Sequence, residues 1–225
     1  MNDSSQFDYS QHIFKEIKDI VYKKSGINLS GKYELVHARL LKRLHTIDLN
    51  SFPKYMQLVT TDESELMEMI NAITTNVTHF FREQYQLETL ANELCPIILE
   101  KKGRIDIWSA GCSTGQEPYS IAITLEEKNI PYNICASDLD SKVLATAKSG
   151  QYNINTLNKI PVTLRKKWFK KCPNNKDYVN VSKTLQNHII FKQLNLMNDW
   201  NYLNKVDIIF CRNVVIYFDD PTKKN

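Results

Sequence analysis

The sequence predicts an α/β fold in which a parallel sheet is sandwiched by helices and preceded by a small all-helical region. Two patterns predict it. Through the first ninety residues, apolar side chains recur at helical spacing. From residue 103 onward, short runs of β-branched residues alternate with helical segments, which is typical of strand–helix–strand units. The length of 225 residues agrees, because it corresponds to about one and a half domains of common size.

The helical region is predicted to contain three helices. The first carries Phe14, Ile17 and Val21 on one face and is expected to end at Gly26. The third covers about 64–74 and buries one apolar row. No linker rich in glycine or proline follows it, so the chain is expected to run directly into the next helical stretch.

The second helix, over about 32–46, carries a basic stripe. Lys32, Arg39 and Arg43 lie within about 20° of one another around the helix axis, beside the apolar face. The residues by themselves favour a solvent-exposed flank for this stripe.

The second region is predicted to contain four parallel strands. They cover 104–110, 133–138, 187–195 and 206–215. Helices are expected over 85–100, from Pro118, and over 141–148. Between about 172 and 192 the sequence instead indicates a turn-rich antiparallel excursion.

Composition excludes several classes of protein. Apolar residues make up 42% of the chain and charged residues 24%, so the chain can bury a core and is not disordered throughout. No run of about eighteen apolar residues predicts a membrane span, and the polar start, 1–12, lacks the pattern of a secretory signal. Five cysteines without a CxxC pair indicate neither a disulfide framework nor a zinc ribbon. We therefore expect a cytoplasmic protein that binds no metal and does not insert into a membrane.

Charge is unevenly distributed along the chain. The net charge is +4, and eight basic residues between 159 and 183 accompany a single acid, Asp177. Such a patch would suit a nucleic acid, and that alternative predicts steep salt dependence of affinity. Neither half of the chain is as basic as a dedicated nucleic-acid-binding domain, so we expect no nucleic-acid partner.

The loop after the first predicted strand, 110–118, is the first candidate for ligand binding. Gly111 and Gly115 permit close approach of a ligand to the backbone, but their spacing is not the GxGxxG of dinucleotide sites. Glu117 would repel a pyrophosphate and could pair with an ammonium group. A purely structural turn is the alternative interpretation of this loop.

Polar residues follow two further strands. Asp138 ends the second strand and is placed to accept hydrogen bonds from a ribose diol. Alternatively it caps the next helix, although Asp140 or Ser141 could do so instead. Arg212 and Asn213 follow an apolar run. Ligands of open α/β sheets bind at the carboxyl ends of strands, so these groups are expected to meet in one crevice.

Five segments, in order, resemble one enzyme family. They are TTNVTHFFRE (74–83), WSAGCSTGQEPYSIA (108–122), ASDLD (136–140), NLMND (195–199) and FCRNVVIYFD (210–219). This set is similar to the motifs of the CheR-type chemotaxis receptor methyltransferases, and the resemblance covers nearly the whole chain. It implies transfer of a methyl group from S-adenosyl-L-methionine to glutamate side chains on the cytoplasmic helices of methyl-accepting chemoreceptors. The product of the cofactor would be S-adenosyl-L-homocysteine.

The resemblance also implies domains and a fold. An N-terminal helical domain with its linker would cover 1–88, and a methyltransferase domain 89–225, with a β-subdomain near 172–192 that in some relatives binds a receptor peptide. The expected fold class is α/β: a Rossmann-like S-adenosylmethionine-dependent methyltransferase domain behind a small all-α domain, with a small antiparallel insertion. Relative to the family, the domain is expected to be C-terminally truncated, which makes a non-catalytic homologue that binds cofactor or receptors the alternative function.

Site residues follow from the same resemblance. Those implied to contact the cofactor are Asn76, Thr78, Arg82, Glu117, Asp138, Asn195, Leu196, Arg212 and Asn213. Arg82, Arg212 and Tyr217 would lie nearest the transferred methyl group, although Tyr217 could equally be a packing residue. Arg39 and Arg43 would dock the acidic receptor helices. Gln116 departs from the glutamate usual in the family, and a monomer is expected.

Overall fold

A computed structural model describes residues 8–173, 175–199 and 205–224, so the expectation for the start of the chain, 1–7, lies outside the described residues. The described chain divides into two compact units. One comprises the chain up to Thr75 together with the chain from Asn213 onward, and the other runs Asn76–Arg212. Residues 76–88, which the sequence analysis assigned to the helical domain as a linker, thus belong to the second unit.

The first unit contains four α-helices among its described residues. They are α1 (Gln11–Ser25), α2 (Tyr33–Thr46), α3 (Phe52–Thr61) and α4 (Glu63–Ile73). α1 begins where the Ser10 hydroxyl accepts the Ile13 N–H and ends at Gly26, which adopts the left-handed conformation that glycine permits. α3 is not among the three helices predicted for this region, although Phe52, Tyr55 and Val59 have helical spacing and are buried.

The second unit is an α/β arrangement. Its helices are α5 (Gln84–Thr89), α6 (Cys95–Leu99), α7 (Gln116–Glu126), α8 (Ser141–Ser149), α9 (Val162–Trp168) and α10 (Lys183–Asn187). Its strands are β1 (Ile105–Ala110), β2 (Tyr132–Asp138), β3 (Gln151–Asn153), β4 (Phe169–Cys172), β5 (Asn175–Val181), β6 (Ile189–Gln193) and β7 (Ile208–Phe210). A π-helical turn, Leu90–Leu94, joins α5 to α6. The helical stretch expected over 85–100 is therefore present, but it is not a regular α-helix.

Four strands form the parallel sheet, in the order β6-β2-β1-β7. In the register of this sheet Ala110 lies opposite Ser137, and Asp138 lies opposite Gln193. One face carries the apolar core, a buried cluster that includes Ile107, Ile134 and Tyr119 of α7. The parallel pairing brings the carboxyl ends of all four strands to one edge, as the sequence predicts.

A separate antiparallel sheet has the order β3-β5-β4. It spans 151–181 and so begins upstream of the expected excursion, whereas β6 belongs to the parallel sheet. The strand expected over 206–215 is shorter than predicted, because β7 ends at Phe210. Asn213 has φ +59°, outside the extended region, and Val215–Tyr217 form a 3₁₀ turn.

Candidate functional site

The loop between β1 and α7 is held in a tight conformation by its own neighbours. Gly115 has φ +93°, and a Cβ at this position would lie 2.8 Å from the Tyr152 hydroxyl and 2.9 Å from Cβ of Ala147. The Tyr152 hydroxyl donates to the carbonyl of Thr114 at 2.6 Å. The loop is therefore built around a residue without a side chain, and its turn conformation is fixed by packing.

Glu117 and Arg212 form a buried ion pair at the strand-end edge of the sheet. Nε of Arg212 donates to Oε2 of Glu117 at 2.6 Å, and each side chain is only 10% exposed. The Ser109 hydroxyl donates to Oε1 at 2.8 Å. Burial raises the pKa of Glu117, although Arg212 and Ser109 act in the opposite direction. This pair presents an acceptor and a fixed cation side by side.

Arg212 also binds the segment that carries Arg82. Its Nη1 donates to the carbonyl of Arg82 at 2.7 Å and lies 3.3 Å from Oε1 of Gln86. The Arg82 side chain is 31% exposed and its Nη1 lies 3.3 Å from the carbonyl of Val77. The Arg82 side chain is therefore more accessible than the Arg212 side chain. The Arg212 side chain also fixes the backbone at Arg82.

Asp138 lies at the end of β2 with both carboxylate oxygens engaged. Oδ2 accepts the Ser113 N–H at 2.7 Å and Oδ1 accepts the Asp140 N–H at 3.0 Å. Burial raises its pKa above the usual value for an aspartate. Asp140 caps α8 by accepting the N–H groups of Lys142 and Val143, so Asp138 is not the helix cap that one interpretation suggested.

Asn76 contacts the same region. Its Nδ2 donates to Oδ2 of Asp140 at 3.0 Å, and its carbonyl accepts the Ser113 hydroxyl at 2.9 Å. Thr78 follows in the same segment and is half-buried. Phe80 is buried in the core of the second unit and anchors the segment.

Asn195 and Leu196 follow β6, beside the strand that carries Asp138. The Leu194 N–H donates to the carbonyl of Asp138 at 2.9 Å. Asn195 Oδ1 accepts the Met197 N–H at 3.0 Å, and Leu196 packs against a small buried cluster that includes Trp108. An amide and an apolar edge thus lie at the strand end next to Asp138.

Sequence reasoning missed several residues that shape this site. Ser109, Ser113, Gln86 and Asp140 each hold a predicted site residue, yet serines in a strand or loop give no distinctive signal. In the segment that carries Thr78, partial burial and the positive charges of Lys159, Arg82 and Arg212 lower the pKa of His79, while the charge of Glu83 acts in the opposite direction.

Asn213 and Tyr217 belong to the first unit. The Tyr217 carbonyl accepts the Asn28 N–H at 2.8 Å, and the Lys32 ammonium lies 4.9 Å from the centre of the Tyr217 ring. Ile27 and Phe218 form an isolated antiparallel bridge. Within this unit Tyr217 is therefore a contact residue of the loop between α1 and α2, and its role in methyl transfer stays a prediction.

Arg39 and Arg43 are both engaged with α4. Nη1 of Arg39 donates to the carbonyls of Ile73 and Thr74, the latter at 2.8 Å, and closes the C-terminal end of that helix. Arg43 binds Glu65 through two nitrogen–oxygen contacts of 3.0 and 2.6 Å. Neither arginine lies on the freely solvated flank that the residues alone favour, and their docking role stays a prediction.

The described residues contain neither a metal-binding cluster nor a helix suited to a membrane. In residues 8–173, 175–199 and 205–224, no group of three or more His, Cys, Asp or Glu side chains is arranged to hold a metal ion. Over the same ranges, no helix combines the length and apolar character that a membrane crossing requires.

Comparison with known proteins identifies the family. Residues 12–74 match the family described as CheR methyltransferase, all-alpha domain, and residues 76–225 match the CheR methyltransferase, SAM binding domain. The chain is 39% identical to Chemotaxis protein methyltransferase 2 of Pseudomonas aeruginosa, over 98% of this chain and 81% of that protein. It is 38% identical to a Probable chemotaxis protein methyltransferase of Rhizobium etli, over 91% and 81%. It is 36% identical to the Chemotaxis protein methyltransferase of Salmonella typhimurium, over 94% and 75%.

These matches confirm the resemblance drawn from the five sequence segments and the predicted fold class. The chain belongs to the CheR methyltransferase family, and S-adenosylmethionine is its cofactor.

Proposed function

We propose that this protein transfers the methyl group of S-adenosylmethionine to glutamate side chains of chemoreceptors, giving glutamate methyl esters. The observation that carries the proposal is the buried pair of Glu117 and Arg212 on the same sheet edge as Asp138. The three relatives described above are named chemotaxis protein methyltransferases, and these names support the choice of substrate.

The chemistry of the side chains at this edge suits the cofactor. Glu117 can accept from the ammonium of its amino-acid end, and Arg212 can donate to the carboxylate. Asp138 can accept from the ribose hydroxyls, and Asn195 with Leu196 offers an amide and an apolar contact to the adenine. Asn76, Thr78, Arg82 and Asn213 complete the proposed set of contacts.

Methyl transfer depends on alignment of the methyl group with the substrate carboxylate more than on acid–base catalysis. The cofactor supplies an electrophilic methyl group on a sulfonium sulfur. A glutamate has a pKa of about 4.3 and is ionised at neutral pH, so its carboxylate needs no general base. Arg82 is proposed to orient that carboxylate, Arg212 to lie near the transferred methyl group, and Tyr217 to position substrate or cofactor. Exclusion of water around the carboxylate would supply the remaining rate enhancement.

Recognition of the receptor is a further part of the proposal. Arg39 and Arg43 now contact the Thr74 carbonyl and Glu65, respectively. To bind acidic receptor helices, they would have to contact those helices as well. Lys159 and Arg82, two basic side chains near His79, would favour approach of acidic helices to the second unit. We propose that the reaction takes place in the cytoplasm, because the acidic helices of the proposed receptor substrate lie there.

The proposal is tested by combining a binding measurement with an activity assay. Calorimetry with S-adenosylhomocysteine should show saturable binding, and Asp138→Ala should weaken it by about a hundredfold, because charged hydrogen bonds to the ribose are lost. Incubation with labelled S-adenosylmethionine and receptor cytoplasmic fragments should yield base-labile methyl esters. The matched control is Asp177→Ala, which removes an exposed carboxylate of β5.

Two results would contradict parts of the proposal separately. Equal affinity of the wild type and Asp138→Ala would remove the ribose assignment. Cofactor binding without base-labile esters would instead favour the alternative of a non-catalytic binding protein.

Cofactor binding is expected to weaken as the pH is lowered. Burial raises the pKa of Asp138 and of Glu117, so each carboxyl takes up a proton at a higher pH than an exposed one. The ionised forms are the proposed acceptors, and protonation therefore competes with binding. Affinity for S-adenosylhomocysteine should fall as the pH is lowered below neutrality, and the fall should begin at a higher pH than it would for exposed carboxyls. Calorimetry across that range measures this, and a pH-independent affinity would contradict it.

A further inference from the structure

Asp140 is a buried carboxylate to which the sequence assigned at most the role of a helix cap. It is 4% exposed and lies two residues beyond Asp138. One oxygen, Oδ1, accepts the N–H groups of Lys142 and Val143 at 2.8 and 3.4 Å and so caps α8. The other, Oδ2, accepts Nδ2 of Asn76 at 3.0 Å. The cap alone would not require that second contact.

The contact closes a ring of four hydrogen-bonded residues. Asn76 donates to Asp140, and the Asp140 N–H donates to Oδ1 of Asp138 at 3.0 Å. The Ser113 N–H donates to Oδ2 of Asp138 at 2.7 Å, and its hydroxyl donates to the Asn76 carbonyl at 2.9 Å. Two residues of the ring, Asn76 and Asp138, are proposed cofactor contacts. The other two, Ser113 and Asp140, are not among the proposed cofactor contacts.

The ring includes a backbone conformation that needs support. Ser113 has φ +49°, which a residue with a side chain rarely adopts. Its two hydrogen bonds hold it there and join the loop after β1 to both the end of β2 and the segment 76–82. Each member of the ring therefore fixes the place of the next.

We propose that Asp140 is a positioning residue of the cofactor site, whose carboxylate holds Asn76 at the strand end that carries Asp138. The inference rests on the proposed assignment of Asn76 and Asp138 to the cofactor. The hydrogen bond from Asn76 to Asp140 should increase cofactor affinity through preorganisation, since a segment already in place loses less entropy when the ligand binds. Loss of the tie should therefore weaken binding even when the fold is intact.

The test separates this tie from the helix cap. Asp140→Ser keeps a good cap residue but is too short to hold Asn76. It should weaken S-adenosylhomocysteine binding by about tenfold, the loss of one charge-assisted hydrogen bond. Asp140→Asn keeps the reach, and rotation of the Asn76 amide restores the bond, so its affinity should stay within about twofold of wild type. The matched control is Asp62→Ser, because Asp62 caps α4 through one oxygen in the same manner.

A double variant links the effect to Asn76. Adding Asp140→Ser to Asn76→Ala should cause no further loss of affinity, because the tie is already gone. Hydrogen exchange of the amides in 77–80 should quicken in Asp140→Ser and not in Asp62→Ser. Unchanged affinity in Asp140→Ser, with a loss in Asn76→Ala, would overturn this inference alone. Unchanged affinity in both Asn76→Ala and Asp138→Ala would overturn the cofactor assignment, and this inference with it.

Discussion

Arg212→Met should lower the free energy of unfolding of the second unit by about 3 kcal/mol, because it leaves the Glu117 carboxylate buried without its cation. It also removes the donors to the Arg82 carbonyl and to Gln86. Methyl transfer should fall at least about a hundredfold, since the proposed contact to the cofactor carboxylate is lost. Chemical denaturation followed by far-UV circular dichroism measures the first effect, and the methyl-ester assay measures the second.

The pH dependence of that loss identifies its cause. Burial already raises the pKa of Glu117, and without the guanidinium its pKa should rise further. An acid with a raised folded pKa favours the folded state at low pH, and this advantage disappears as the pH rises through the folded pKa. The cost of Arg212→Met should therefore be smaller in acid than at pH 8.

Two further variants complete this experiment. Adding Glu117→Gln should recover part of the lost stability, because a neutral amide needs no counter-charge. Arg104→Met, at an exposed arginine that contacts Asp106 at 3.4 Å, should change stability by no more than about 0.5 kcal/mol. A cost of Arg212→Met that is the same at every pH, and not relieved by Glu117→Gln, would contradict the assignment to an unpaired carboxylate.

The parallel sheet could be predicted because the local sequence pattern indicates each of its strands. Runs such as 104–110, which contains Ile105, Ile107 and Trp108, carry β-branched or aromatic residues and alternate with helical segments, so strand type and order follow from the chain itself. The end of β7 could not be predicted in this way. Val214 and Val215 favour a strand, but Asn213 has a positive φ and turns the chain away before them.

The candidate site shows the same limit. Glu117, Asp138 and Arg212 could be found because each follows a strand or begins a helix, where polar residues are conspicuous. The residues that hold them, such as Ser109 and Asp140, act through tertiary contacts that no local pattern announces. For Arg43 the limit is clearest, since its partner Glu65 is buried on a different helix and lies 22 residues away in sequence.

Gly115→Ala should lower the free energy of unfolding by about 3 kcal/mol. Of this, about 1 kcal/mol comes from placing a side chain at φ +93°, and the rest from the contacts that its Cβ would make with Tyr152 and Ala147. The hydrogen bond from Tyr152 to the Thr114 carbonyl lies in the same place, so the whole loop after β1 should shift. Affinity for S-adenosylhomocysteine should fall with it, as calorimetry on the folded variant would show.

Two other glycines separate these contributions. Gly31 has φ +74° with nothing within 4 Å of an added Cβ, so Gly31→Ala should show only the conformational cost, about 1 kcal/mol. At Gly103 a Cβ likewise meets nothing within 4 Å and φ is not in the left-handed range, so Gly103→Ala should be neutral within about 0.5 kcal/mol. If Gly115→Ala cost no more than Gly31→Ala, the loop could yield to the extra methyl group. Its conformation would then be set by backbone preference and not by the packing of Tyr152 and Ala147.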